Sequence, residues 1–293
     1  MKKLLVSMFV LMLAVSMAKA DLRAWYTFDE TSGDYAYDSS AYGNTGLLYA
    51  ETVVGQDSTP LPFTSTQPTR IAGVNNNALL FSSPALGNYN TVRIAKSDSV
   101  RYMGDAFTFA FWLRQDSRAT TAGNGGGYAR VISCPNYEVE LGTPSWEYDY
   151  IWPYDNAGLQ VDIGQTYYAR GGSVGDWFHM AVTFDGQYLK KYLNGECVFT
   201  ADYSGQNLID DWQYGWNDAP LTIGGQTWPN KDFFIGAMDD VAIWGNAYLD
   251  AAQVASLYNF ETTPGTVGFT EIPEPTTMLL IGIGGLLLRK RVK

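Results

Sequence analysis

The stretch WFHMAVTFDGQYLKKYLNGECVF, Trp177–Phe199, leaves this chain few ways to fold. Phe178, Met180, Val182 and Phe184 occupy every second position, so in an extended chain they share one face. Asp185-Gly186 interrupts the run and Asn194-Gly195 interrupts the next. Asn-Gly is the strongest short-range hairpin signal, because a tight turn that matches the strand twist needs positive φ at both central positions. Three antiparallel strands in series follow. FTFAFWLR, Phe107–Arg114, repeats the alternation with Phe107, Phe109, Phe111 and Leu113. Gly, Asn, Asp and Ser separate short runs of Phe, Tyr, Val, Ile and Trp, and helical periodicity is nearly absent, which reads as an antiparallel β-sandwich.

One helix is expected late, at LDAAQVASLYNF, with Asp250 as N-cap and Gln253 as its capping-box partner. Ala251, Val254 and Leu257 or Tyr258 would form its buried stripe. No internal repeat or interdomain linker appears between Asp21 and Phe260, so 21–260 is expected to be one domain. ETTPGTVGFTE, Glu261–Glu271, reads as a flexible tether, and 261–272 as a linker.

The two ends differ from this middle. Met1–Ala20 has Lys2 and Lys3, an apolar run from Leu4 to Met17, and small residues at Ala18 and Ala20, the pattern of a cleaved secretory signal peptide. The other end, residues 273–293, has an apolar run from Thr276 to Leu288 followed by Arg289, Lys290, Arg291 and Lys293. As a helix that run is about 20 Å long, against about 30 Å for a bilayer core.

All 30 acidic residues lie within Asp21–Leu288, and 7 of the 19 basic residues lie outside it, leaving 12 basic and a net charge of 12 − 30 = −18 for that stretch. That balance disfavours nucleic acid and anionic membrane surfaces. It suits a neutral glycan or a divalent cation. Cys134 and Cys197 are too few for a disulfide scaffold, but in an oxidising compartment they could form one bridge.

Six blocks carry a resemblance: AWYTFDETSGDYAYDSSAYGNTGLL (24–48), NNNALLFSS (75–83), FTFAFWLR, DWFHMAVTFDGQYLKKYLNGE (176–196), LTIGG (221–225) and FFIGAMDDVAIWGNAYLDAAQVASLYN (233–259). Their order resembles a LamG-like domain of the concanavalin A-like superfamily. The resemblance implies an all-β, two-sheet antiparallel jelly roll with one short C-terminal helix, the N-terminal strand lying near Val241–Trp244. The tail resembles a PEP-CTERM sorting signal, in Pro273, Glu274, Pro275, the short apolar helix and the basic end. This implies recognition and removal by an exosortase in the inner membrane of a Gram-negative bacterium, with only transient membrane residence. A chain so sorted reaches the cell surface or extracellular matrix.

The superfamily includes glucanases with E-x-D-x-E on the catalytic strand. In EYDYI, Glu147 and Asp149 are present, but Ile151 stands at the third acidic position, so the carboxylate pair is incomplete. YEVEL offers only Glu138 and Glu140, and no enzyme is expected. His179, the single histidine, reads as a packed strand residue. Asp29, Asp38, Asn44, Asp239 and Asp240 fall in the two blocks that the resemblance brings together, and hard oxygen ligands from separate loops are what Ca²⁺ requires. Asp38 and Asp240 are the favoured ligands of one structural Ca²⁺; the alternative is a set of turn carboxylates in Asx-turns and caps. In WEYDYIWPYD, Trp146–Asp155, aromatic residues alternate with mostly polar ones. They either fill the core or, since Pro153 favours an edge, line a rim. In the second case Trp146 or Trp152, with Trp212 or Trp216 of DDWQYGWND, would form a platform for a polysaccharide or glycoconjugate.

Overall fold

The computed structural model describes residues 21–51, 66–81, 89–116, 129–142, 148–153, 161–205, 208, 219–226, 232–268 and 270–271. The expected signal peptide and the Pro-Glu-Pro segment lie outside them. Among the described residues no helix is long and apolar enough to cross a membrane.

The alternating runs become strands: β1 (Asp21–Tyr26), β2 (Tyr35–Ala36), β3 (Gly46–Ala50), β4 (Thr69–Ala72), β5 (Asn77–Phe81) and β6 (Asn90–Ile94) precede a helical turn α1 (Asp98–Arg101). β7 (Phe107–Gln115), β8 (Ala129–Ser133), β9 (Tyr137–Leu141), β10 (Tyr148–Pro153), β11 (Val161–Gln165), β12 (Trp177–Phe184), β13 (Tyr188–Leu193) and β14 (Glu196–Asp202) follow. The chain continues through β15 (Leu221–Ile223), β16 (Gly236–Gly245), β17 (Ala247–Tyr248), α2 (Ala251–Tyr258) and β18 (Thr270–Glu271).

Two eight-stranded antiparallel sheets face each other. The first runs β14-β13-β12-β7-β16-β5-β4, with β1 also on β16; the second runs β11-β10-β9-β8-β15-β6-β3-β2. The expected hairpins β12–β13 and β13–β14 form, with Asn194 at φ 50° and Gly195 at φ 80° in the second turn. Phe107, Phe109, Phe111 and Leu113 of β7 and Phe178, Met180, Val182 and Phe184 of β12 fill the space between the sheets against Val139, Ile151, Ile163 and Ile223. Each such side chain contributes about 1.5–3 kcal/mol by leaving water. One ion pair shares this interior: Lys191 Nζ donates to Asp149 at 2.9 Å and to the Gly164 and Gln165 carbonyls. Asp149 also accepts the Gly142 N–H, so both of its oxygens are engaged within the fold.

The outer face of the first sheet positions the candidate site. Ala181, Ala110 and Ala242 pair in a row across β12, β7 and β16, and their small side chains leave a trough that α2 fills with Val254 and Leu257. The Asp250–Gln253 capping box starts this helix as expected, whereas Ala251, expected in the buried stripe, is exposed. β16 carries a second irregularity. Along one edge it pairs with β5 at Gly236–Met238 and with β1 at Val241–Gly245, and the seam falls on a bulge at Asp239–Asp240, where Asp240 has φ 47°.

One expectation is corrected, and one open question is answered. The 261–271 stretch is not a free tether: Val267 packs beside Trp244 and Leu249, and β18 pairs with β17. Cys134 is buried in the core and Cys197 is exposed on edge strand β14; both are free thiols, and burial pushes the Cys134 thiol up to about 12.

Candidate functional site

Four parts of the chain meet over the outer face of the first sheet and leave a cleft of about 360 Å³. Its floor is Ala110, Trp112 and His179. One wall is Trp25, Thr27 and Asp29 from the first strand and its loop, continued by Val74, Asn75 and Asp240; the other is Leu257, Phe260 and Thr262–Pro264 after α2. Trp112 is out of phase with the core phenylalanines of β7, so its ring lies on the outer face, where it is 7% exposed and Tyr258 stacks on it at 5.5 Å. Phe260 lies parallel to it at 5.3 Å and remains 49% exposed, while the His179 imidazole meets the same indole edge-on at 5.3 Å. Gly265 holds the strap against the opposite side: a Cβ there would lie 3.2 Å from the Trp25 ring.

The electrostatics of the cleft are one-sided. Among the described residues no lysine or arginine lines it. Burial pushes the His179 imidazole down to about 3, so it is neutral, and its buried Nδ1 has no partner among the described residues. Burial and then the neighbouring Asp240 push Asp239 up to about 7, although its carboxylate accepts the Val74 and Asn75 N–H groups at 2.9 and 3.2 Å. Asp240 is also raised, first by burial and further by the Asp29 charge, an effect opposed by the hydrogen bond from Trp25 Nε1 at 2.9 Å. Asp29 accepts the Asn77 N–H at 3.0 Å and lies half-buried at the cleft mouth. Rings, hydroxyls, an amide and carboxylates around one hollow suit a ligand with both apolar faces and polar edges.

The five expected calcium ligands do not form one set. Asp38 accepts the N–H groups of Trp25, Ser40 and Asn44 at 2.9, 2.8 and 2.7 Å, and the Ser40 hydroxyl at 2.8 Å. Hydrogen-bond donors point at its carboxylate, where a cation would need free lone pairs. Asn44 spends its amide on the Arg23 carbonyl and Ser99. Among the described residues no group of three acidic, histidine or cysteine side chains is placed to hold a metal ion. These residues therefore do not fit a calcium linking Asp38 to Asp240. Trp25 makes that link itself, its backbone N–H on Asp38 and its indole N–H on Asp240.

Trp146, Trp212 and Trp216 of the expected platform lie outside the described residues, as does the side chain of Trp152, whose backbone pairs with Glu138 in β9. In the neighbouring register, Ile151 of β10 enters the core; of the alternating aromatics, Tyr150 is buried at 8% exposure opposite Glu140, while Tyr148 is 42% exposed. Glu138 and Glu140 on the same side are drawn to Arg130 at 2.7 and 2.6 Å. Trp25, Trp112 and Phe260 were not legible as a group. The available signal was Trp112, the one large aromatic at an even position in FTFAFWLR.

A profile of the concanavalin A-like lectin/glucanases superfamily, of the laminin G type, matches residues 86–255. The chain belongs to that superfamily. A PEP-CTERM protein-sorting motif matches residues 271–291 and marks this superfamily member for export to the cell surface. No curated protein matches the chain significantly. Among solved structures it is similar to domain 4 of a GH43 extracellular arabinanase from Geobacillus stearothermophilus, in complex with arabinotriose, at 18% identity and TM-score 0.57, covering 82% of this chain and 98% of that one. It is also similar to the binding domain of Paraclostridial mosquitocidal protein 1, at 16% identity and TM-score 0.52, covering 82% of this chain and 52% of that one. The botulinum neurotoxin serotype G binding domain gives 17% identity and TM-score 0.52, with 82% and 51% coverage. At these identities the likeness is one of fold, and this chain spans about half of each toxin binding domain.

Proposed function

We propose that this protein is a non-enzymatic, glycan-binding adhesive module that an exosortase delivers to the cell surface or extracellular matrix of a Gram-negative bacterium. The cleft carries the reading: Trp25 and Phe260, the latter stacked on buried Trp112, offer apolar faces, and Thr27, Asn75, Thr262 and Asp240 offer polar edges around about 360 Å³, room for about one or two sugar rings. The arabinanase domain solved with arabinotriose supports it by fold. The engagement of Asp149 with Lys191 supports a binding rather than a hydrolytic role. A second sugar-contacting surface, using Trp146 or Trp152 with Trp212 or Trp216, belongs to the same proposal.

A glycan array probed with the exported chain tests the reading. Saturable binding to a defined glycan, lost on Phe260→Ala with an unchanged melting temperature, is the expected result. Absence of binding to every glycan would leave a structural matrix component. Turnover of a polysaccharide would make the protein an enzyme. Intact-mass analysis tests the sorting step: the mature protein should lack Arg289–Lys293.

A further inference from the structure

We infer that the cleft is selective for a cationic sugar, a hexosamine unit carrying a free ammonium group. The inference rests on the glycan-binding reading and names the substrate class of that site. Three observations carry it. Among the described residues the charged groups bordering the hollow are Asp29 and Asp240, with buried Asp239 directly behind, and no basic side chain answers them from either wall. The rings of Trp25 and Phe260 line the same hollow, Phe260 backed by the buried Trp112 indole, and the face of an aromatic ring attracts an ammonium group through its quadrupole. At the floor, His179 is 3% exposed and neutral, with its Nδ1 unpartnered among the described residues. In the tautomer that protonates Nε2, Nδ1 is an acceptor, the polarity that an N–H or O–H donor of the ligand would satisfy.

A neutral sugar would use the rings and hydroxyls but leave Asp29 and Asp240 repelling each other. An anionic sugar such as a uronate would add to that repulsion. An ammonium group relieves it, and its N–H donors match a site whose charged groups are all acceptors. The net charge of −18 across Asp21–Leu288, from 12 basic and 30 acidic residues, draws such a polymer in from a distance.

The probes are a glucosamine trimer and its fully N-acetylated counterpart, titrated calorimetrically into the exported chain at pH 6 and low salt. The amine trimer should bind at least tenfold more tightly, and its advantage should shrink in high salt. Asp240→Asn, whose amide oxygen still accepts from the Trp25 indole, should bring the two affinities together; Asp29→Asn provides the same test if the first variant folds poorly. Equal or tighter binding of the acetylated trimer overturns the charge selectivity and leaves the glycan reading intact. Failure of both trimers, with binding to a neutral glycan, does the same. Failure of every glycan removes both readings. A lysine-rich peptide that outcompetes the amine trimer would overturn the assignment to sugar.

Discussion

Asp38 and Asp240 are both half-buried carboxylates of one hydrogen-bonded neighbourhood, joined through Trp25, yet they meet opposite surroundings. Asp38 is met by donors from every side and ties the loop after β1 into a fixed shape. Asp240 sits at a bulge beside Asp239 and Asp29, where like charges and burial both work against ionisation. A carboxylate whose acceptor capacity is filled by the backbone is architecture. One held near other carboxylates at the edge of a hollow has interaction capacity left for a ligand. Asp149 belongs with Asp38, since Lys191 neutralises it inside the sandwich.

The largest expected effect sharpens the structural side of this contrast. Lys191→Met leaves Asp149 buried without its counter-ion, and breaking such a pair costs about 3–5 kcal/mol, to be read from a denaturant midpoint. Asp38→Ala strands three N–H groups in a half-buried loop and should cost about 1–3 kcal/mol. Asp239→Asn probes the other side through pH. The folded-state pKa of Asp239 is raised from 3.8 to about 7, so between these values the folded protein holds a proton that the unfolded chain has released. Its contribution to stability is greatest below the unfolded value and declines as pH rises toward 7, by at most about 1.4 kcal/mol per unit. Asp239→Asn should flatten that decline in melting curves taken from pH 4 to 8. The smallest expected effect is none: with the Asp38 acceptors filled, the melting midpoint should be the same in calcium and in chelator.

Local signals made most of the fold legible. The alternation in β7 and β12, the turns at Asp185-Gly186 and Asn194-Gly195, and the Asp250–Gln253 box each act within a few residues, and each appears as read. The site is different because it is assembled from residues far apart in sequence. The seam that turns Asp240 toward Trp25 arises where β5 and β1 share one edge of β16, a pairing that no local pattern encodes. Phe260 enters the cleft because the segment after α2 docks on the sheet, driven by Val267, although its Thr, Pro and Gly composition reads as a linker. Asp38 misleads for a related reason: an exposed loop sequence gives no sign that Trp25 of β1, together with Ser40 and Asn44 of the loop itself, has already claimed its oxygens.

The most direct test is a double dissociation between the two carboxylates, with binding and stability measured on the same proteins. Asp240→Asn should weaken affinity for the glucosamine trimer about tenfold, about 1.4 kcal/mol, while the melting midpoint holds. Asp38→Asn should lower the midpoint while the folded protein keeps its affinity. Loss of binding in Asp38→Asn at temperatures where it is fully folded, with none in Asp240→Asn, would contradict the assignment of the cleft as the binding site.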